Sequence, residues 1–543
     1  MEETISIKDI AEISAIKDEI FDSIENFKAH AITYNEQVEF VIEKIILGKG
    51  SSDVKAKAIY DLIKENINNK EEQLVSFNDD QEWAIIKNNT FITEHKNKIN
   101  NHLKKQYGYS DVGLEWRKVK DKLHKQAMQQ PIKIHPYALV EDNQCYIGTK
   151  HDGLLQISPE SIQFLFQGAN ANKTYVTASC SLTKNILPII EQQQNGWTFT
   201  DLLKLFPWED HPEEQMFLFK CWFFYSLGFP ASMRPLICVT GDKGSGKTMF
   251  LKCIKSMLFN IEDRNPDLIP MDEYEFNYLL KDRYYWFIDE LNFANPIIRN
   301  YIRAIVTGME RQFRYKYDRN LVVFKPLTWL MFSAYTPKIR EDDIVQRMLL
   351  LRFARPKKSI NESIFFNIQF QKQWQWIWRD IILTLQKILV NLQQEQKEIS
   401  LTHYCRCDEL AHWAWNAFPE QKELCLHVFN NLDQQQERFS AEEDPAMEFV
   451  EDFIQQKSIG TIISSNGKIK ILVDGKVLYM FCLECAKQRG IKNFYTTVHG
   501  FCKALHNRRV VLEERFNYKR IRNTRVNKWE YHFEVDQIMQ ETF

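Results

Sequence analysis

One segment, residues 235–258, constrains the fold of this chain more than any other. Pro235-Leu-Ile-Cys-Val-Thr is a short apolar run typical of a buried strand, and the ten residues from Met249 to Leu258 are apolar at helical spacing. Between them, Gly241-Asp-Lys-Gly-Ser-Gly-Lys-Thr fits the pattern G-x-x-x-x-G-K-[ST]. A buried strand that enters an amphipathic helix through a glycine loop predicts an α/β fold.

The residue types of this loop suit phosphate groups. Glycines allow backbone N–H groups to point at phosphate oxygens, and the start of the helix adds positive potential. Lys247 would neutralise the β- and γ-phosphates, and Thr248 would supply an oxygen ligand for Mg²⁺. We therefore expect ATP and Mg²⁺ as cofactors. The predicted nucleotide-binding residues are Gly241, Asp242, Lys243, Gly244, Ser245, Gly246, Lys247, Thr248 and Met249.

A second motif ends in two carboxylates. Tyr284-Tyr-Trp-Phe-Ile is an apolar strand pattern, and Asp289 and Glu290 follow it directly. In a phosphate-binding ATPase, Asp289 would hold Mg²⁺ directly or through water, and Glu290 would polarise the attacking water. A helix cap is the alternative for such a pair at the end of a strand.

From Thr240 to Phe353 the chain resembles superfamily 3 helicases, in particular the helicase part of phage, plasmid and mobile-element primase-helicases. Besides the two nucleotide motifs, residues 301–320 resemble the family's hairpin, whose basic tip grips DNA in a central channel. The resemblance implies DNA contacts by Arg311, Arg314, Lys316 and Arg319. The interleaved Phe313, Tyr315 and Tyr317 suit stacking on unpaired bases, whereas a solvated hairpin is the alternative.

Two further motifs complete the resemblance. Residues 327–337 resemble the family's sensor strand, but the expected Asn is absent and Ser333 and Ala334 occupy its neighbourhood. Ser333 is then the candidate hydrogen-bond partner of the γ-phosphate or of water. Residues 344–353 resemble the arginine-finger segment, in which Arg347 is the first candidate, ahead of Arg340 and Arg352. A finger donated to a neighbouring subunit implies a homohexamer.

The C-terminal region has concentrated positive charge. The whole chain has 70 Lys and Arg against 72 Asp and Glu, whereas residues 501–533 have nine Lys and Arg against three Glu. A helix, a strand at 510–512, a basic turn at 519–525 and a strand at 529–533 resemble the third helix and wing of a winged-helix domain. A protein-binding or merely solvated surface is the alternative. The predicted DNA contacts are Arg508, Arg509, Lys519, Arg520, Arg522 and Arg525.

The sequence predicts five segments: a helical N-terminal region (1–130), a small β-containing connector (131–200), a P-loop AAA+-like ATPase core (201–358), a helical lid (359–444) and a winged-helix domain (445–543). Isoleucines at helical spacing, such as Ile10, Ile13, Ile42 and Ile45, indicate the first segment. No acidic triad of a primase is recognisable before residue 230, so a primase or polymerase is a candidate partner.

Composition limits the compartment and the metal chemistry. The N-terminus has no secretory pattern, and the longest apolar run is interrupted by Lys220, so we expect a cytoplasmic protein without a membrane segment. The motifs His403-Tyr-Cys-Arg-Cys407 and Cys482-Leu-Glu-Cys485 have short spacing but no second ligand pair, which favours ordinary packing over zinc.

Two functions fit these features. The first is an ATP-dependent hexameric DNA helicase that unwinds DNA for replication of a phage, plasmid or mobile element. The second is a nucleotide-switched DNA-binding or assembly ATPase, in mobile-element maintenance or defence, that separates no strands. They share a fold and differ in turnover.

Overall fold

The computed structural model describes two compact units. The first comprises residues 1–139, 145–157 and 161–187, and the second comprises residues 140–144, 158–160 and 188–543. Within them the described residues are 42, 45–46, 52–69, 73–77, 82–87, 90–93, 103, 114–127, 134–135, 137–149, 153–166, 175–176, 180, 182–259, 264–270, 272–291, 293, 295–314, 321–335, 339, 342–356, 361–394, 396–402, 405–442, 444–456, 461–465, 468–491, 494–523 and 528–536.

The first part of the N-terminal unit contains two packed helices and a sheet. The helices are α1 (Ser52–Asn69) and α2 (Leu114–Ala127), and the strands are β1 (Gln73–Phe77), β2 (Glu82–Lys87) and β3 (Thr90–Thr93). The strands pair antiparallel in the order β1-β2-β3. The prediction of a helical region is therefore wrong for residues 73–93, where short apolar runs separated by Asn and Asp form strands instead.

Helical spacing does hold on either side of this sheet. Ala56, Ile59 and Ile63 of α1 are fully buried, and α1 packs on α2. Ile42 and Ile45 are helical and buried, whereas the predicted helical positions Ile10 and Ile13 lie outside the described residues.

Short strands occupy much of the stretch where the sequence predicts a β-containing connector. They are β4 (Ile134–His135), β5 (Ala138–Glu141), β6 (Gln144–Thr149), β7 (Gly153–Ile157), β8 (Ile162–Phe166) and β9 (Tyr175–Val176). Strands β5 to β8 form one sheet in chain order, and β4 pairs with β9. Asp142 and Asn143, both at positive φ, make the tight turn between β5 and β6.

A parallel sheet forms the centre of the second unit. Its region contains β10 (Leu236–Gly241), β11 (Tyr285–Ile288), β12 (Arg311–Arg314), β13 (Leu321–Phe324), β14 (Trp329–Ser333) and β15 (Met348–Phe353). Four of these strands pair parallel in the order β11-β14-β10-β15. They are almost continuously apolar and buried, as expected for a sheet covered on both faces. The α/β fold predicted from residues 235–258 is thus confirmed.

Helices surround this sheet. They are α3 (Leu187–Ile190), α4 (Phe199–Leu203), α5 (Pro212–Ser226), α6 (Lys247–Leu258), α7 (Glu273–Asp282), α8 (Pro296–Thr307), α9 (Asp342–Val345), α10 (Glu362–Ile364), α11 (Gln371–Leu392), α12 (Asp408–Ala417) and α13 (Lys422–Glu442). A π-helix, Phe365–Phe370, joins α10 to α11. The ring of Phe250 in α6 packs against Phe206, Trp208, Phe219 and Phe353, which fixes α6 beneath the end of β15.

The C-terminal part has its own core and sheet. Its elements are α14 (Pro445–Gln456), β16 (Thr461–Ser465), β17 (Lys468–Asp474), α15 (Gly475–Gln488), α16 (Val498–Asn507), α17 (Arg509–Phe516), β18 (Lys519–Asn523) and β19 (Lys528–Asp536). The strands are antiparallel in the order β16-β17-β19-β18. Buried residues from these helices and strands form one hydrophobic cluster.

Two predicted elements of this part are wrong. The strand predicted at 510–512 lies inside α17, because Leu512 and Phe516 bury one helical face and Asn517, at positive φ, ends the helix. The basic turn predicted at 519–525 begins as strand β18, which pairs with β19. Within the described part of the chain, no helix is long and apolar enough to cross a bilayer.

Candidate active site

The glycine loop connects β10 to α6 in a shape that only glycines allow. Gly241 has a φ of +141°, and a Cβ there would lie 2.2 Å from the carbonyl oxygen of Phe353. Gly244 and Gly246 have φ values of +82° and +92°, and no atom lies within 4 Å of where their Cβ atoms would be. The loop is therefore pressed against β15 at its start and open in its middle.

Lys247 lies at the start of α6 with its amine turned back over the loop. Its Nζ donates to the carbonyl oxygens of Gly241 at 2.7 Å and Asp242 at 2.9 Å. Burial lowers the pKa of Lys247, whereas the negative charges of Glu290 and Asp289 raise it. The loop thus holds a partly buried cation beside two carboxylates.

The glycine loop and the carboxylate pair meet in space as the sequence predicts. The hydroxyl of Thr248 donates to both oxygens of Asp289, at 3.0 and 2.9 Å. Since β10 and β11 are parallel members of one sheet, both motifs leave it at the same edge. Strand β14 lies between them and brings Ser333 to this edge.

Ser333 forms hydrogen bonds with both Asp289 and Glu290. Its hydroxyl donates to Oδ1 of Asp289 and accepts a hydrogen bond from the backbone N–H of Glu290 at 3.0 Å. The backbone N–H of Leu291 donates to the Ser333 carbonyl oxygen at 3.0 Å. The sequence proposes Ser333 as a partner of phosphate or water; in this structure its hydroxyl proton is directed to Asp289 instead.

Glu290 is exposed and has a left-handed backbone, with a φ of +54°. Such a conformation is unfavourable for a residue with a Cβ and persists where surrounding contacts impose it. Here the contacts of Ser333 with the N–H groups of Glu290 and Leu291 hold the turn.

The residues at this edge fit a magnesium nucleotide. Thr248 and Asp289 offer the hard oxygen donors that Mg²⁺ prefers, and Mg²⁺ sites commonly use one or two such groups together with phosphate. The open side of the loop at Gly244 and Gly246 leaves room for phosphate oxygens near backbone N–H groups. The buried hydroxyl of Ser245 has no hydrogen-bond partner among the described residues, so the loop retains an unused polar group.

Zinc ligation is a separate question. Among the described residues, no three His, Cys, Asp or Glu side chains are grouped to hold a metal ion. Cys405, Cys407 and Cys482 are buried, and His403 lies outside the described residues.

Arg347, the predicted finger, lies at the opposite edge of the sheet. It directly precedes β15, and its carbonyl oxygen accepts from the N–H of Leu236, the first residue of β10. Its guanidinium donates to the carbonyl oxygen of Asp343 at 2.6 Å. Because β10 rises ~3.3 Å per residue over five steps to the glycine loop, about 16 Å separate the two edges. Arg347 cannot reach a nucleotide in its own subunit.

Arg352 and Arg340 are the other two candidates for the arginine finger. Arg352 lies half-buried in β15, paired in register with Thr240. Arg340 lies outside the described residues.

The predicted hairpin is present as β12 and β13, which pair antiparallel from Arg311 and Phe324 to Arg314 and Leu321. Arg311 lies at its base, with its guanidinium 4.3 Å from the ring centre of Tyr301 and Nη2 3.3 Å from Oε1 of Glu273. Arg311 therefore packs against α7 and α8. Lys316 and Arg319 of the tip lie outside the described residues, as does the side chain of Arg314.

The predicted C-terminal DNA contacts differ in exposure. Arg508 is only 5% exposed and lines a cavity of about 300 Å³ with Gln436 and Ser440 of α13. The side chain of Arg508 therefore faces helix α13 and is largely shielded from solvent. Arg509, Lys519 and Arg522 are exposed, Arg520 is half-buried, and Arg525 lies outside the described residues.

Sequence reasoning missed two features near these sites. Trp529 is 44% exposed, and Arg520 covers one face of its ring. The signal available in the sequence was an isolated tryptophan beside basic residues. Tyr301 and Glu273 anchor Arg311, and no local pattern marks them.

Comparisons with known proteins add little. Neither a known protein family nor a curated protein matches the sequence. A solved structure titled the A form apo structure of the NrS-1 C-terminal region is 11% identical, with a TM-score of 0.38, over 86% of this chain and 97% of that chain. Another apo structure of that region has the same identity and coverage and a TM-score of 0.34. Similarity at this level supports no statement about function.

Proposed function

We propose that this protein is an ATP-dependent DNA helicase of the superfamily 3 type, acting as a homohexamer in the replication of a phage, plasmid or mobile element. The observation that carries the proposal is the contact between Thr248 and Asp289, 2.9 to 3.0 Å apart although 41 residues separate them. It joins a phosphate-binding loop to a carboxylate pair at one edge of a parallel sheet.

The sheet supports an AAA+-like ATPase core. The strand of the glycine loop lies inside the sheet, and β14, with its sensor-like sequence, separates it from the carboxylate strand β11. Asp267 adds a parallel bridge at the outer side of β11, paired with Ile288. This single bridge brings the segment around Asp267 beside the outer strand of the sheet.

Each residue of the edge then has a task. MgATP, when bound, supplies the phosphoryl bond whose hydrolysis releases free energy. Lys247, which donates to carbonyl oxygens of the loop in this structure, would instead neutralise phosphate, and Thr248 and Asp289 would hold the metal. Glu290 orients a water molecule, and its exposed position at the strained turn suits that role.

A complete site needs a second copy of the chain. Positive charge beside the γ-phosphate lowers the barrier to transfer, and Arg347 is on the wrong edge to supply it within one subunit. In a ring, the same edge can face the nucleotide of a neighbour, since head-to-tail interfaces bring different surfaces together. Hydrolysis would move the β12–β13 hairpin, and with it DNA in the channel.

The C-terminal part is proposed as a winged-helix DNA-binding domain. Its order is α14, β16, β17, α15, α16, α17, β18, a connecting loop and β19, and the four strands lie in the order β16-β17-β19-β18. Helix α16 exposes His499, Lys503 and His506 on one face, and exposed cations lie on β18. A helix for a groove and a basic hairpin for phosphates suit duplex DNA.

One observation favours the second candidate, a nucleotide-switched DNA-binding or assembly ATPase that separates no strands. The single hydroxyl proton of Ser333 is donated to Asp289, so it is not available to a γ-phosphate in this conformation. Hydrolysis without that contact would be slow, and nucleotide binding alone would then set the state of the protein.

The rate of ATP hydrolysis distinguishes the two. We expect single-stranded DNA to stimulate hydrolysis by the wild-type chain at least tenfold, to a turnover near the ~10 s⁻¹ typical of enzymes. Lys247→Ala should abolish hydrolysis and weaken nucleotide binding, whereas Lys204→Ala, at an exposed lysine outside the loop, serves as the matched control. Tight ATP binding with negligible, DNA-independent turnover would favour the switch.

A further inference from the structure

Trp529 is unusual among the tryptophans of this protein. It lies in β19 with 44% of its surface exposed, and among the described tryptophans no other is as exposed. Tryptophan combines a large apolar face with a polar N–H and is enriched at binding interfaces, which makes this ordered, exposed indole a candidate contact residue.

Arg520 fixes one side of this indole. Its guanidinium carbon lies 4.0 Å from the ring centre of Trp529 and 5.9 Å from that of Tyr531. Since Tyr531 is fully buried in the domain core, the stack is attached to a rigid part of the fold. A cation over an aromatic face is attractive and holds the ring in one orientation.

The stack also lies next to helix α16. The pKa of Cys502 in α16 is raised by burial, and the nearby positive charge of Arg520 acts in the opposite direction. The geometry agrees, because a Cβ at Gly475 would lie 2.8 Å from the ring of Tyr531, which Arg520 also contacts, and 3.0 Å from Sγ of Cys502. Trp529 is held where helix and wing meet.

The charge around Trp529 indicates the ligand. Arg522 is the cross-strand partner of Trp529 and shares its face of the sheet, and its side chain is exposed. The apolar side chain of Ile521 points to the opposite face, so Trp529 is not part of a continuous apolar patch. Sites for single-stranded nucleic acid pair aromatic faces, on which bases stack, with cations that contact the backbone phosphates.

We propose that Trp529 stacks on an unpaired nucleobase at the junction between duplex and single-stranded DNA. Arg520 packs on the face of the indole opposite the base, and Arg522 contacts the adjoining phosphate. This inference rests on the proposed function in that it assumes DNA as the ligand. It goes further, because it assigns the C-terminal domain to the junction and not to duplex DNA alone.

The test uses the full chain and two DNA probes. One is a forked duplex with 2-aminopurine as the first unpaired base, and the other is a blunt duplex of the same paired sequence. Trp529→Ala removes the ring, Trp529→Phe keeps a smaller one, and Ile521→Ala removes an equally exposed side chain from the other face of the same hairpin. Basal ATP hydrolysis without DNA shows whether each variant is folded.

Stacking predicts a specific set of results. Wild-type protein should quench 2-aminopurine, and Trp529→Ala should lose that quenching and bind the fork about tenfold more weakly, in line with stacking of one base. Trp529→Phe should remain within about threefold of wild type, and Ile521→Ala should match it. Binding to the blunt duplex should be unchanged in all three variants.

Other results would overturn the inference. If Trp529→Ala matched wild type on the fork, or weakened fork and blunt duplex equally, Trp529 would not recognise an unpaired base. Fork unwinding by the Trp529→Ala protein at the wild-type rate would leave the helicase proposal intact while this one failed. Wild-type protein that bound neither probe would contradict both.

Discussion

The hydroxyl of Ser333 donates to Asp289 and accepts from the backbone N–H of Glu290. One side chain of strand β14 thus contacts both the carboxylate of Asp289 and the backbone of Glu290. It orients Asp289 toward Thr248 and stabilises the left-handed turn at Glu290. Under the proposed function, Ser333 would be a positioning residue for Asp289, the proposed metal ligand, and for the backbone turn at Glu290.

Replacing Ser333 with Ala should weaken the apparent affinity for Mg²⁺ by about 10- to 100-fold, because hydrogen bonds to metal ligands orient them. The KM for ATP measured at saturating Mg²⁺ should change much less. Steady-state hydrolysis titrated with Mg²⁺ measures this difference. Ser333→Thr keeps the hydroxyl and should retain most activity. Unchanged Mg²⁺ dependence with a lower kcat would instead indicate a direct contact with phosphate.

Arg347 should act only between subunits, since it lies about 16 Å from the glycine loop of its own chain. Arg347→Ala and Lys247→Ala proteins should each be inactive. Mixed one to one, they should recover about a quarter of wild-type ATP hydrolysis, because one interface in four combines an intact loop with an intact finger. Normal assembly without any recovery would exclude Arg347 as the finger, and Arg352→Ala should then be examined in the same mixture.

Arg311 should affect DNA coupling through the base of the hairpin and not through direct contact. Arg311→Ala removes the stacking on Tyr301, worth ~0.5–1 kcal/mol, and we expect a two- to fivefold loss of DNA-stimulated ATP hydrolysis. Glu273→Gln weakens the same anchor without removing a positive charge. It should therefore cause a smaller loss in the same direction. Tighter DNA binding by Glu273→Gln would show that Arg311 contacts DNA itself.

The pairing of α4 with α11 should depend on pH. Burial raises the pKa of Asp380, although the N–H of Phe199, 2.9 Å away, and the charge of Lys220 lower it. A raised pKa in the folded state means that ionised Asp380 costs stability, and this cost appears as the pH rises from about 4 through the raised value. Asp380→Asn keeps an acceptor for Phe199 and cannot ionise.

Thermal unfolding compared across pH measures this effect. The Tm of Asp380→Asn minus that of wild type should be near zero below about pH 4 and should become positive as the pH increases. A difference that became negative with increasing pH would mean that the ionised carboxylate stabilises the fold. Asp201→Asn, which lies at the exposed capping box of α4, is a control with a lowered pKa and should show the opposite sign.

The phosphate loop and the carboxylate pair could be predicted from sequence because their signals are local. A strand pattern, a fixed glycine spacing and a helix pattern occupy consecutive residues, and each motif stands at the end of its own strand. The role of Ser333 could not be predicted in this way. It depends on β14 lying between β10 and β11, which is a long-range property of the sheet.

Where local propensity and tertiary packing conflict, the sequence was misleading. Val510 and Val511 are β-branched, yet burial of Leu512 and Phe516 on one face makes the segment helical. Arg508 belongs to a basic run and is nevertheless buried, because α17 packs against α13. A count of charges along the chain does not reveal which of them face solvent.

The central claim is that hydrolysis at the Thr248–Asp289 site drives strand separation. Unwinding of a forked DNA duplex with MgATP tests it most directly, with Lys247→Ala and Glu290→Gln proteins in parallel. We predict ATP-dependent unwinding by the wild-type hexamer and none by either variant, although Glu290→Gln should still bind ATP and DNA. A wild-type protein that binds and hydrolyses ATP but leaves the fork intact would contradict the helicase proposal.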